Sequence, residues 1–180
     1  AGLGQAGICM SEAVTLEQLK AATARSSFYA GMRILPKPER EAMFAIYGFC
    51  RMVDDIADDY KASREYRTAA LNRWRLDVTS LYAGGDGRQA AFLSHAIRRF
   101  GLEQADFIAV IEGMELDAYD DIRWPPFATL DLYCDCVASA VGRLSVKVFG
   151  MERESGLALA HHLGRALQFG AAGLVFGETG

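Results

Sequence analysis

Apolar residues recur along most of this chain at intervals of three and four, the spacing that gathers them on one face of a helix. Thr15 followed by Gln18 has the form of a capping box and opens a first helix over residues 16–25. An apolar, aromatic-bearing segment over 26–35 stops before Pro36, because the residue ahead of a proline is driven out of the helical region. Pro38 suits the first turn of a long helix running to about Asp59. Ser63 opens another that ends near Tyr82, ahead of the Gly84-Gly85-Asp86-Gly87 turn. Helices follow over 88–100, with Gly101 as the stop, and over 103–119. Trp124-Pro125-Pro126 forces a loop. Thr129 caps a helix over 130–149 closed by Gly150, and a last helix covers 154–168. The pattern offers no strand pair and no internal repeat, so the expected fold class is all-α.

Composition narrows what such a bundle can do. With 180 residues, 51% of them hydrophobic, the chain has the material for one domain with a sizeable core. Its 23 acidic and 19 basic residues leave a formal charge of -4, which argues against general nucleic-acid binding. An anionic ligand would need locally placed arginines or metal ions. Cys9, Cys50, Cys134 and Cys136 show no CxxC spacing and no companion histidine cluster, so they read as buried free thiols in a reducing compartment. No apolar run approaches a membrane span, and no basic amphipathic anchor is evident. The expectation is a cytoplasmic protein, with room for a peripheral contact at the inner membrane face. Residues 1–10 read as an extension ahead of a domain over 11–168, and 169–180 as an atypical glycine-rich tail.

The informative stretch is Tyr47-Gly48-Phe49-Cys50-Arg51-Met52-Val53-Asp54-Asp55-Ile56-Ala57-Asp58-Asp59. On a helix, Asp54 and Asp58 project side by side, as do Asp55 and Asp59. Carboxylates crowded at a helix carboxyl end repel one another and oppose the helix dipole. Hard divalent cations would cancel that repulsion, and magnesium held by one or two carboxylates keeps sites open for phosphate oxygens. Arg51, one turn earlier, could hold a diphosphate oxygen. Tyr47, a further turn back, could offer its ring face to a cation. The same residues would also serve as a solvated acidic helix end, with Arg51 as a surface ion-pair partner.

Three segments carry a resemblance. SSFYAGMRILP (26–36), YGFCRMVDDIADD (47–59) and YCDCVASAVGRLSVKVFG (133–150) are similar, in order and spacing, to the squalene/phytoene synthase family of head-to-head isoprenyl diphosphate synthases. Within it they resemble the bacterial branch that makes presqualene diphosphate for hopanoids. The resemblance implies a helical isoprenoid-synthase bundle, magnesium as the cofactor and two farnesyl diphosphates as substrates. It implies that Asp54 and Asp58 are metal ligands supported by Asp55 and Asp59. Arg51 and Ser27 would lie near the diphosphates and Phe28 at the prenyl pocket. Tyr47 and Tyr133 would face the reacting carbons, and Gln168 would belong to the substrate site. Val137, Ala138, Val141 and Gly142 would line a tunnel, where small residues leave room for an isoprenoid. Close helix packing would use the same small residues equally well.

The chain also departs from the family pattern. Cys136 stands where many members carry a basic residue. Beyond Gln168, where members carry an asparagine and a second aspartate pair, Ala171, Val175 and Thr179 appear. The terminal FGAAGLVFGETG holds four glycines and no aspartate. Glycine costs about 1 kcal/mol in a helix interior, so this tail would prolong the helix poorly. Because the resemblance stops abruptly, truncation with an unrelated tail is expected over divergence with loss of half the metal site. Asp117, Asp120 and Asp121 read as a solvated helix end, and His161-His162 as a surface or partly buried pair. The rival functions are a phytoene or dehydrosqualene synthase, and a catalytically silent helical protein that binds an isoprenoid or a partner.

Overall fold

The computed structural model describes residues 28–119, 135–151, 154–156 and 158, and every regular element among them is helical. In chain order these are α1 (Phe28–Arg33), α2 (Lys37–Ala57), α3 (Arg64–Tyr82), a 3-10 turn (Arg88–Leu93), α4 (Ser94–Phe100) and α5 (Gln104–Tyr119). A π turn (Asp135–Ser139) then runs directly into α6 (Ala140–Val148). The expected helix over 16–25, the loop at 124–126 and the tail over 169–180 lie outside the described residues, as do His161, His162, Asp120 and Asp121. Of the last expected helix, residues 154–156 and 158 are described, and they are helical.

The local signals explain the boundaries. Pro36 is extended (φ -53, ψ 153) and Pro38 falls in the first turn of α2, where its missing N–H is no loss. Ser63 is an extended N-cap whose Oγ accepts from the Tyr66 amide at 3.2 Å. Two expected helices are corrected. The one expected over 88–100 begins as a 3-10 turn, because Gly87 and Arg88 enter it with φ of 66 and 41. A Cβ at Gly87 would stand 2.2 Å from Leu81 Cγ, so glycine serves both the left-handed backbone and the packing. The helix expected over 130–149 is, in its described part, a wide π turn before it becomes α-helical.

Phe49 is the centre of the core. Its ring meets Trp74 edge-on at 5.6 Å and Phe107 at 5.3 Å between centroids, and Trp74 meets Phe92 at 6.3 Å. These contacts join α2, α3, α5 and the 3-10 turn. Along α2 the buried positions Ala42, Ala45, Ile46, Phe49, Val53 and Ala57 recur at three and four, one stripe against that core. α5 is buried on more than one side, since it packs against α3 and also against the π turn and α6. Gly113 allows the second approach: a Cβ there would lie 2.6 Å from Val137 Cγ2.

Polar ties fix the neighbours of α5. Arg143 Nε donates to Asp106 Oδ1 at 2.6 Å, and the Asp106 side chain is only 7% exposed. Arg75 bridges Glu112 at 3.3 Å and Glu115 at 2.7 Å. Tyr82 donates its hydroxyl to the Leu102 carbonyl at 2.8 Å. Burial first, then the charges of Asp106 and Glu103, raises that phenol above its ordinary value. The half-buried Cys50 thiol is pushed up to about 12, by burial first and the nearby Asp54 charge second.

Two outcomes follow from this packing. Phe49→Ala removes a ring that is 0% exposed and should cost about 3–5 kcal/mol, read as a lower urea midpoint with the fold retained at low denaturant. Cys50 keeps its proton more tightly folded than unfolded, so its contribution to stability is complete below about pH 9 and is lost as pH rises toward about 12. Peptide mapping after alkylation at about pH 8 should therefore find Cys50 unlabelled in the native chain and labelled in urea.

Candidate active site

The carboxyl end of α2 carries the acidic cluster, and the helix ends inside it. Ala57 is the last helical residue, and Asp58 is the C-cap in the right-handed region (φ -79, ψ -5). The Asp58 amide still donates to the Asp54 carbonyl at 2.9 Å, so the helical register that puts these two side chains on one face persists to Asp58. Asp59 does not continue the helix. Its Oδ1 accepts from the Lys61 amide at 3.1 Å, which makes it part of the connection to α3 and corrects its expected pairing with Asp55.

Arg51 straddles the two adjacent carboxylates. Nη1 bonds Asp54 Oδ2 at 2.5 Å and Nη2 bonds Asp55 Oδ1 at 2.6 Å. The Asp54 side chain is 34% exposed and that of Asp55 is 65% exposed. Asp54 is thus partly buried, next to the fully buried Val53, while Asp55 leans into solvent. Tyr47 is half-buried, one turn ahead of Arg51. The structure therefore brings Tyr47, Arg51, Asp54 and Asp55 onto the last three turns of one helix, with Asp58 as its C-cap.

On the π turn and α6, Val137, Ala138, Val141 and Gly142 form a half-buried stripe, while Ser139, Ala140, Leu144 and Val148 are buried behind it. Val137 and Val141 pack on the main core. Phe28 begins α1, and nothing is described of its side chain. Ser27, Tyr133 and Gln168 lie outside the described residues. Among the described residues no group of three or more His, Cys, Asp or Glu side chains forms a ready-made metal cage, and no helix is long and apolar enough to cross a membrane.

Two clefts of about 520 and 490 Å³ lie elsewhere, along the outer side of α3. The first is lined by Arg64, Glu65, Thr68, Asn72 and Glu115, the second by Arg73, Asp77, Asp86 and Arg88 among others. Neither includes a residue of the acidic cluster. Asp77 is buried, which raises its carboxyl above the usual range against the pull of Arg88.

Two residues escaped the sequence reading. Gly113, inside α5, could have been found, since a helix-interior glycine signals a close approach. Arg67 could not. Its Nη1 donates to the Ala57 carbonyl at 2.8 Å, a contact that exists only because α3 folds back on the end of α2.

The squalene/phytoene synthase family model matches residues 21–169. A presqualene diphosphate synthase of Zymomonas mobilis is 64% identical over 143 residues, which is 79% of this chain and 49% of that protein. A chloroplastic phytoene synthase of Narcissus pseudonarcissus is 37% identical over 131 residues, 72% of this chain and 30% of that one. The chain thus spans about half or less of the length of the curated relatives it matches. A crystal structure of a dehydrosqualene synthase shares the fold, with a TM-score of 0.71 at 24% identity over 85% of this chain and 53% of the other. With a helical bundle of that fold and a family model covering most of its length, the chain belongs to the squalene/phytoene synthase family.

Proposed function

We propose that this chain carries the substrate-ionising site of a magnesium-dependent prenyltransferase that joins two farnesyl diphosphates head to head into presqualene diphosphate. The observation that carries the reading is the end of α2, where Asp54 and Asp58 share a face beside a two-pronged arginine. The 64% identity to a protein named for presqualene diphosphate, against 37% to a phytoene synthase, favours that product over phytoene.

The donor set suits the metal. Carboxylate oxygens at the negative end of a helix are hard ligands, and the exposed rim leaves space for water and phosphate oxygens. Asp54 and Asp58 would hold magnesium, with Asp55 and Asp59 in support. The bound cation supplies positive charge against a diphosphate leaving group. Arg51 does its part by exchanging partners. Exposed ion pairs are worth about 1 kcal/mol or less, so its fork leaves Asp54 and Asp55 at little cost and grips the diphosphate in the same two-pronged way. Ser27 would contribute a further hydroxyl donor to that group.

The carbon–oxygen bond of one substrate then breaks, and diphosphate departs with the electron pair. The double bond of the second substrate attacks the resulting allylic cation. Loss of a proton closes the cyclopropane of presqualene diphosphate. Tyr47 and Tyr133 would present ring faces to the cation, and Phe28 would wall the prenyl pocket. The stripe of Val137, Ala138, Val141 and Gly142 would hold the apolar tail, and Gln168 would close the substrate site. A dry lining keeps water from capturing the cation. Hand-over of so apolar a product fits a peripheral contact at the inner membrane face of the cytoplasm.

The test is to incubate the chain, extended with the carboxy-terminal half of a relative, with farnesyl diphosphate and magnesium. Diphosphate and presqualene diphosphate should appear, and geranylgeranyl diphosphate should react poorly. Asp54→Ala and Asp58→Ala should each lower the rate by about 10²–10³-fold, the usual loss when charge stabilisation of the transition state is removed. Undiminished rates in both variants would overturn the assignment.

A further inference from the structure

We propose that Arg67 is a positioning residue that locks the spacing of Asp54 and Asp58, an inference that rests on the metal reading of those two aspartates. The peptide unit between Ala57 and Asp58 is held from both sides. Its N–H, belonging to Asp58, donates to the Asp54 carbonyl at 2.9 Å. Its carbonyl, belonging to Ala57, accepts from Arg67 Nη1 at 2.8 Å. One side of the unit is thus tied to the backbone of the first carboxylate, and the other to the next helix.

The tie fills a vacancy that the sequence itself creates. The last carbonyls of a helix have no amide ahead of them to accept from. The helical partner of the Ala57 carbonyl would be the Lys61 amide, but that amide donates to Asp59 Oδ1 at 3.1 Å. Arg67 is placed to substitute, because its own amide bonds the Ser63 carbonyl at 3.1 Å and fixes it in the first turn of α3. The reach is not a loose surface contact. The bond is part-buried, and Arg67 Nε is enclosed with no partner among the described residues. An arginine with no task beyond solubility would leave the whole guanidinium in water.

The sign of the effect separates positioning from charge. A guanidinium close to a carboxylate pair repels a divalent cation, so its removal would tighten metal binding if proximity were all that mattered. Loss of a structural tie acts the other way, because Asp58 becomes free to swing from the face it shares with Asp54.

The experiment titrates the chain with Mn²⁺, followed by electron paramagnetic resonance, alongside Arg67→Ala, Arg67→Lys and the double variant Asp54→Ala/Asp58→Ala. Helix content and Tm are read for each. Arg67→Ala should bind Mn²⁺ about tenfold more weakly, the lower end of what loss of a supporting partner costs a metal site. Arg67→Lys, which keeps a donor of similar reach, should recover most of that affinity. If Arg67→Ala does not fold, Arg67→Gln, whose amide is too short to reach Ala57, takes its place. Binding by the alanine variant that equals or exceeds the parent, while the double aspartate variant has lost it, overturns the role of Arg67 and leaves the metal site standing. Equal binding by the parent and the double aspartate variant removes the metal site and this role together.

Discussion

Asp54, Asp55 and the C-cap Asp58, crowded at the carboxyl end of α2, work against the helix that carries them. Each opposes the helix dipole by about 0.3–1 kcal/mol, and the like-charged pair one turn apart, Asp54 and Asp58, adds a few tenths more. The end stays ordered because the same turns carry buried apolar residues between the charged ones. Val53 is 0% exposed and Ala57 2%, alternating with Asp54 and Asp58. Burying a valine is worth about 1.5–3 kcal/mol, enough to offset the nearby repulsion. Phe49, one turn earlier, anchors the stripe to Trp74 and Phe107. Packing therefore holds in place a cluster that electrostatics alone would fray, and Arg51 relieves part of the remaining charge.

That arrangement requires a partner for α2 that does not yield, and α5 is that partner. It supplies Phe107 to the aromatic core and Asp106 to the buried ion pair with Arg143. Removing one member of such a pair leaves a charge stranded, so the contact is costly to break even where its net contribution to stability is small. Gly113 then lets the π turn approach α5 closely. π turns widen the helix and re-aim the residues they carry. Here they carry Val137 and Ala138, at the head of the half-buried stripe of α6.

How much of this was legible in the sequence follows from the range of the forces involved. The all-helical character of the described region, the Ser63 cap, the Pro38 start and the Gly101 stop rest on neighbours in sequence, and they are found as the pattern has them, whereas the long helix stops at Ala57, two residues short of the expected end. Grouping Asp54 with Asp58 needed only the helical repeat. The 3-10 turn after Gly87 was missed because Arg88 adopts a positive φ, which its residue type does not announce. Asp59 was misplaced by a side chain bonding to a backbone amide two residues on, a local competitor of the helix. The π turn and the bond from Arg67 depend on which helices meet, and no local pattern encodes that.

The chemistry of the clefts bears on where an isoprenoid can lie. Both clefts along α3 are dominated by charged and amide side chains, with Ala69 and Leu76 the apolar residues among their linings. Each methylene of an apolar chain gains about 0.8 kcal/mol from leaving water, and stripping water from charged groups without pairing them offsets part of that gain. The stripe from Val137 to Gly142 is apolar or small at each of its four half-buried positions. In the proposed function, a tail laid along it would keep the hydrophobic gain, while its diphosphate would need the charged end of α2. The two requirements pull the ends of one amphiphilic molecule toward different elements, and α2 packs against α6. The segregation of polar and apolar surface between these two helices is what the proposed substrate, a long-chain allylic diphosphate, would require.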